Sequence, residues 1–188
     1  MIKIGITGSI ASGKSTASKI LSRNTDQLFS ADSIVKKLYN NNNFKKLLIT
    51  KFNIAKKLNF KTLLKRKILK DKNNIIKLEK IVHPIVRKEM IKFTRKNRKQ
   101  KTLFYEIPLL IENKLMKYFD VILFIKAKKK IRLKRFKLKG GKEKLFNFLD
   151  NKQLPEIKKI KFCDHVIINE KNLNILKKNL LGIIKLYV

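Results

Sequence analysis

A single cysteine in 188 residues cannot close an internal disulfide, and Cys163 has no cysteine or histidine at zinc-ligand spacing. A disulfide scaffold and a zinc domain are both excluded. No stretch approaches the roughly 18 uninterrupted apolar residues of a membrane span, and MIKIGITGSIASGKS at the amino terminus lacks the apolar segment of a secretory leader. A cytoplasmic protein that does not engage membranes is the expectation. Acidic residues are scarce: 13 Asp and Glu stand against 48 Lys and Arg, so few side chains are available to steer a hydroxyl or a metal. The guanine-reading pattern N-K-x-D is missing although Asn and Lys are abundant, and there is no internal repeat.

What is present is a globular composition, 44% hydrophobic, with a net charge of +35. Clustered cations gain affinity for nucleic acid by releasing counterions from phosphates. Here they run from Lys3 to Lys185, mostly as lysine and alongside Asn, Ile and Phe. That joint enrichment reads as drift towards A/T-rich codons, and no specific nucleic-acid partner is expected. The length suits one domain with a small inserted lobe.

Residues 2–7 (IKIGIT), 102–107 (TLFYEI), 120–126 (DVILFIK) and 164–169 (DHVIIN) are strand-like, with a short pulse at Leu28–Phe29. Within DVILFIK the run VILFI is continuously apolar, as strands covered on both faces are. Between Phe44 and Arg98 the pattern is helical, with Leu78, Ile81, Val82, Ile85, Val86 and Met90 on one face. Pro84 should kink that helix or begin its second half. Helices are expected at about 128–137, 142–150, 153–161 and 172–185, with Gly140-Gly141 in a loop. Strands separated by helices imply an α/β fold, a parallel sheet of about five strands with helices on both faces. The core is expected over 1–32, 99–136 and 160–188, a helical acceptor-binding lobe over about 33–98, and a short lid over about 137–152.

The most informative segment is Gly8-Ser9-Ile10-Ala11-Ser12-Gly13-Lys14-Ser15, which fits G-x-x-x-x-G-K-[ST] and is extended by Thr16. A strand precedes it and a helix follows. Glycines at both ends let successive N–H groups turn inward at a phosphate, above the positive end of the new helix. Lys14 is placed to reach the β- and γ-phosphate oxygens of ATP, and the Ser15 hydroxyl to ligate Mg²⁺. The loop implies phosphoryl-group handling. By itself it leaves open a small-molecule kinase for a nucleoside or nucleotide, or a basic nucleic-acid-binding protein of the same fold.

Six ordered motifs narrow this. They are Ile6–Thr16, Ala31-Asp32-Ser33-Ile34, Val82-His83-Pro84-Ile85-Val86, Pro108-Leu109-Leu110-Ile111-Glu112, Leu133-Lys134-Arg135, and Gln153 followed by Asp164-His165-Val166-Ile167-Ile168-Asn169. Together they resemble the dephospho-coenzyme A kinase family nearly end to end. The departures are Ser9 and Ala11, where the family usually has glycines, Ser30 for a first aspartate, Lys61 where the family tends to have arginine, and Lys139 for a second lid arginine. The resemblance implies a P-loop kinase fold and transfer of the ATP γ-phosphoryl group to the ribose 3′-hydroxyl of dephospho-coenzyme A with Mg²⁺; a monomer is expected, although the sequence itself does not give the oligomeric state.

It also implies roles for residues that the sequence alone leaves ambiguous. Asp32 would position the attacking hydroxyl; its alternative is to cap a helix. Glu106, ending the third strand, is an outer-sphere Mg²⁺ acid or an ordinary strand-end carboxylate. Glu112 contacts the acceptor or fixes its local turn. His83, Lys61 and Arg87 are implied in acceptor binding, the two cations at its diphosphate. Arg135 would neutralise charge on the transferring group. Asn169 is expected near the adenine, with Gln153 and Lys159 buttressing that region.

Overall fold

The computed structural model describes residues 1–23, 27–54 and 59–187. Five strands form one parallel sheet: β1 (Ile2–Gly8), β2 (Leu28–Ser30), β3 (Thr102–Glu106), β4 (Val121–Lys126) and β5 (His165–Ile168), in the order β2-β3-β1-β4-β5. Register follows directly from the apolar runs. Ile4 stands opposite Phe104 on one side and Val121 on the other, and Ile125 stands opposite Ile167. Helices α1 (Lys14–Ser22) and α9 (Leu173–Ile184) cover one face, where Ala17, Leu21, Leu176 and Leu180 pack on Ile4, Ile6, Leu123 and Ile125. Tyr105 and Phe119 meet across the other face, their ring centroids 5.2 Å apart. Burial on both faces is why these strands read as continuous hydrophobic runs.

The chain divides into two compact units, one made of Met1–Ser30 with Lys96–Val188, the other Ala31–Arg95. The second begins two residues before the lobe boundary expected from sequence and ends three before it. It contains α2 (Ala31–Asn40), α3 (Asn42–Lys51), α4 (Phe60–Lys70) and nearly all of α5 (Lys72–Lys96). Asn41 caps α3, its side chain accepting from Phe44 N at 3.0 Å. α2 begins at Ala31, which places Asp32 in its first turn.

Pro84 neither ends nor restarts α5, which is assigned helical from Lys72 to Lys96. A helical proline costs about 3 kcal/mol. Buried Val82 and partly buried Leu78, Ile81, Ile85 and Val86 pack in one cluster with Phe44, Leu48 and Phe52, and at about 0.8 kcal/mol per buried CH₂ their combined burial offsets that cost.

In the first unit, β4 leads into α6 (Lys129–Leu138), then α7 (Glu143–Asn151) and α8 (Glu156–Ile160). α8 starts three residues later than expected because Pro155 occupies its N-cap with extended geometry (φ −52°, ψ 140°) and restricts Leu154 before it. Phe146 of α7 is fully buried against Phe136 of α6, with centroids 5.6 Å apart. No helix among the described residues is long and apolar enough to cross a membrane.

Candidate active site

The loop at 8–16 joins β1 to α1, and two of its glycines are sterically required. A Cβ on Gly8 would stand 2.3 Å from the Ile125 carbonyl oxygen. One on Gly13, where φ is +99°, would stand 2.1 Å from Asn169 Nδ2. Ala11 holds φ at +57° without glycine's freedom, at a strain of about 1–2 kcal/mol. The Lys14 side chain, 7% exposed, curls back and donates to the carbonyls of Gly8 (3.1 Å) and Ser9 (2.8 Å).

Not every loop amide faces a phosphate. Ser12 N–H donates to the Ser9 carbonyl at 3.2 Å, and Ile10 N–H donates to Gln153 Oε1 at 3.2 Å. The sequence suggests a uniform ring of inward amides, and the structure corrects that picture.

At the start of α1, Ser15 Oγ donates to Glu106 Oε1 at 2.5 Å. Glu106 ends β3 in register with Ile6 of β1 and is 5% exposed. A hydroxyl ligand backed by a carboxylate suits a hard cation that keeps phosphate and water as its other partners. Arg135 reaches the loop, its Nη1 donating to the Ser12 carbonyl at 3.3 Å. Asn169 reaches the same oxygen at 2.8 Å, so it braces the loop backbone directly. A cleft of about 850 Å³ opens beside Ser15 and Thr16, between α1 and α9, with Lys139, Asn174 and Lys177 on its walls. Lys139, the residue in place of a lid arginine, thus borders this cleft.

In the Ala31–Arg95 unit, Asp32 is exposed on α2 and Lys61 is exposed in the first turn of α4. His83, half-buried, and Arg87 lie one turn apart on the same side of α5.

Glu112 pairs with Lys159 at 2.6 Å, and its Oε1 also accepts from Leu154 N at 3.2 Å. Lys159 is fully buried and also donates to Gln153 Oε1 at 3.2 Å. Sequence reasoning missed Arg132 and its partners. Arg132 is 5% exposed and donates to Asp150 (2.6 Å) and to the carbonyls of Ala127 (3.1 Å) and Ile10 (3.4 Å). Ser9 Oγ donates at 2.7 Å to Glu156 Oε1, which also lies 3.7 Å from Arg132 Nε.

Cys163 donates to the Lys159 carbonyl at 3.3 Å. Burial, and after it the Asp164 carboxylate, push its thiol up to about 12, against the lowering influence of Lys159. It is expected to react with iodoacetamide at pH 8 roughly 10³-fold more slowly than a free thiol, which mass spectrometry of the labelled native protein checks. The unfolded thiol ionises near 9 while the folded one keeps its proton. This group's contribution to stability therefore falls as pH rises from about 9 to about 12.

Comparison with known proteins bears on this arrangement. The dephospho-CoA kinase family model matches residues 2–174. A dephospho-CoA kinase of Bartonella henselae is 33% identical over 188 residues, covering 97% of this chain and 96% of that protein. The crystal structure of TT1252 from Thermus thermophilus aligns with a TM-score of 0.81 and 27% identity over 100% of this chain and 98% of its own. A dephospho-CoA kinase from Campylobacter jejuni, 23% identical, shares the fold with a TM-score of 0.68 over 97% of this chain and 95% of its own.

Proposed function

The chain belongs to the dephospho-CoA kinase family, and from that premise we propose how its own residues move the ATP γ-phosphoryl group to the ribose 3′-hydroxyl of dephospho-CoA. The carrying observation is the loop at 8–16, with Lys14, Arg135 and Asn169 gathered on it. The loop amides that are not turned away, with Gly8, Ala11, Gly13 and Thr16 shaping the backbone, hold the β- and γ-phosphates. Lys14 exchanges the Gly8 and Ser9 carbonyls for phosphate oxygens, and Arg135 shifts from the Ser12 carbonyl to charge on the transferring group.

The oxygens of Ser15 and Glu106 fit a Mg²⁺ ion carried in with ATP, Ser15 as ligand and Glu106 behind it. When bound, the ion supplies charge neutralisation at the phosphates.

Asp32 follows β2 by two residues, and β2 ends in register with Glu106 at Ser30. We assign it to hold the 3′-hydroxyl and receive its proton. Lys61 and Arg87 are assigned to the acceptor's diphosphate and His83 to shaping that side of the lobe. Glu112 is assigned to hold Lys159, because its Oε1 is committed there and its Oε2 is buried. The segment 137–152 acts as the lid, closing to exclude water. We take the protein to work as a cytoplasmic monomer, its +35 charge serving no dedicated nucleic-acid site.

Coupled-assay ADP release with ATP and Mg²⁺, comparing dephospho-CoA with nucleosides and nucleoside monophosphates, tests the acceptor. Turnover is expected with dephospho-CoA alone, and turnover on a nucleoside would overturn the assignment. Asp32→Ala is expected to lower kcat about 10²-fold with the KM for ATP little changed. An unchanged kcat would remove Asp32 from the mechanism.

A further inference from the structure

At the Ser9–Ile10 edge of the loop, three polar groups are held by side chains from outside the loop. Glu156 takes the Ser9 hydroxyl, Arg132 takes the Ile10 carbonyl, and Gln153 takes the Ile10 amide. Phosphoryl transfer itself asks nothing of Gln153, Lys159 or Glu112. Yet Lys159 is fully buried, and a buried ion pair is rarely better for stability than apolar residues of the same size.

What the lysine supplies is direction. A side-chain amide presents an oxygen or an NH₂ group, and either end fits the same space. An ammonium has only donors, so at 3.2 Å from Gln153 it requires the oxygen on that side. That same oxygen then faces the Ile10 N–H, whereas the opposite orientation would set donor against donor at both contacts. Glu112, 2.6 Å from Lys159 and bonded to Leu154 N beside Gln153, keeps the ammonium in place.

We propose that Gln153, oriented by the buried Lys159–Glu112 pair, is a positioning residue for nucleotide binding that fixes the Ile10 peptide and so sets the curvature of the phosphate loop. The inference rests on reading residues 8–16 as the ATP phosphate site. It adds a chain of three side chains that connects the segment after β3 to the nucleotide without touching it.

The test uses the full chain and measures binding of a fluorescent ATP analogue without acceptor, then kcat and KM for each substrate. Gln153→Met, which removes the acceptor, is expected to weaken nucleotide binding and raise the KM for ATP roughly tenfold. The KM for dephospho-CoA should stay within about twofold. Gln153→Glu keeps an oxygen for both donors and should restore most of the affinity. If the Met variant does not fold, Gln153→Asn, one methylene too short, must show the same ATP-selective loss. Wild-type affinity in the Met or Asn variant overturns the proposal, as does a parallel rise of both KM values. Because binding is read without acceptor, an error in the acceptor would leave this result standing. Failure of the wild-type chain to bind ATP would instead remove the site reading and the inference with it.

Discussion

Replacing Lys14 with methionine is expected to lower kcat/KM for ATP roughly 10³-fold while leaving the protein folded. The side chain runs through a nearly closed space and ends on two loop carbonyls. Methionine follows the same path with similar length, so packing survives. The Ser9 carbonyl keeps its bond from Ser12 N–H, at 3.2 Å, when the ammonium is gone. The lost element is a mobile point charge that can leave those carbonyls for phosphate oxygens as negative charge redistributes in the transition state. Arginine does not replace it, because a planar fork is too broad for a space fitted to a single ammonium. Steady-state kinetics on both variants, with circular dichroism melting as the folding control, checks this. A melting temperature within a few degrees of wild type and a tenfold or smaller loss of activity would deny Lys14 its role.

The second large effect is on stability. Lys159→Met leaves Glu112 largely buried without its cation and is expected to cost about 3–5 kcal/mol. Lys159→Met with Glu112→Leu removes both charges and should recover at least half of that loss, since apolar replacement of a whole buried pair is often neutral or better. Urea denaturation midpoints at constant m-value measure both. The double variant also separates two roles of the pair. Once refolded into a stable core it still lacks the ammonium that orients Gln153, so its affinity for ATP should remain low. A double variant that regains stability and nucleotide affinity together would show that the pair contributes packing alone.

How much of this was legible in the sequence depended on whether a residue announced itself against the background. The central strands did, because parallel strands buried on both faces are apolar in their interior, and the unbroken VILFI of β4 stands out in a chain this cationic. The phosphate loop did, because glycine is dictated at Gly8 and Gly13 by the backbone and by Ile125 and Asn169. Arg132 did not. It sits three residues before Arg135 on a helix where cations are the rule, and nothing in the spacing tells a 5% exposed guanidinium from a solvated one. Glu156 and Asp150 were hidden for the same reason, since their importance comes from partners brought close by α6, α7 and α8. Gln153 and Lys159 were visible through the family resemblance, but the contact they serve, the Ile10 amide 143 residues away from Gln153, required the fold. The 3₁₀ turn at Met116–Tyr118 was also unforeseen, being a short connector without periodicity.

The sheet order also sets a timetable for synthesis. β1 is the middle strand and is made before either neighbour: Ile2 pairs with Thr102 and Ile4 with Val121, so both arrive about a hundred residues later. At roughly 5–20 residues per second, on the order of 5–20 s pass before β1 has any strand to join. During that interval Ala31–Arg95 is completed, with an apolar cluster of its own around Phe44, Leu48 and Phe52. The inserted unit therefore has the means to condense first, and the phosphate loop acquires its bracing from Arg132, Gln153 and Asn169 only after more than about a hundred further residues have been made.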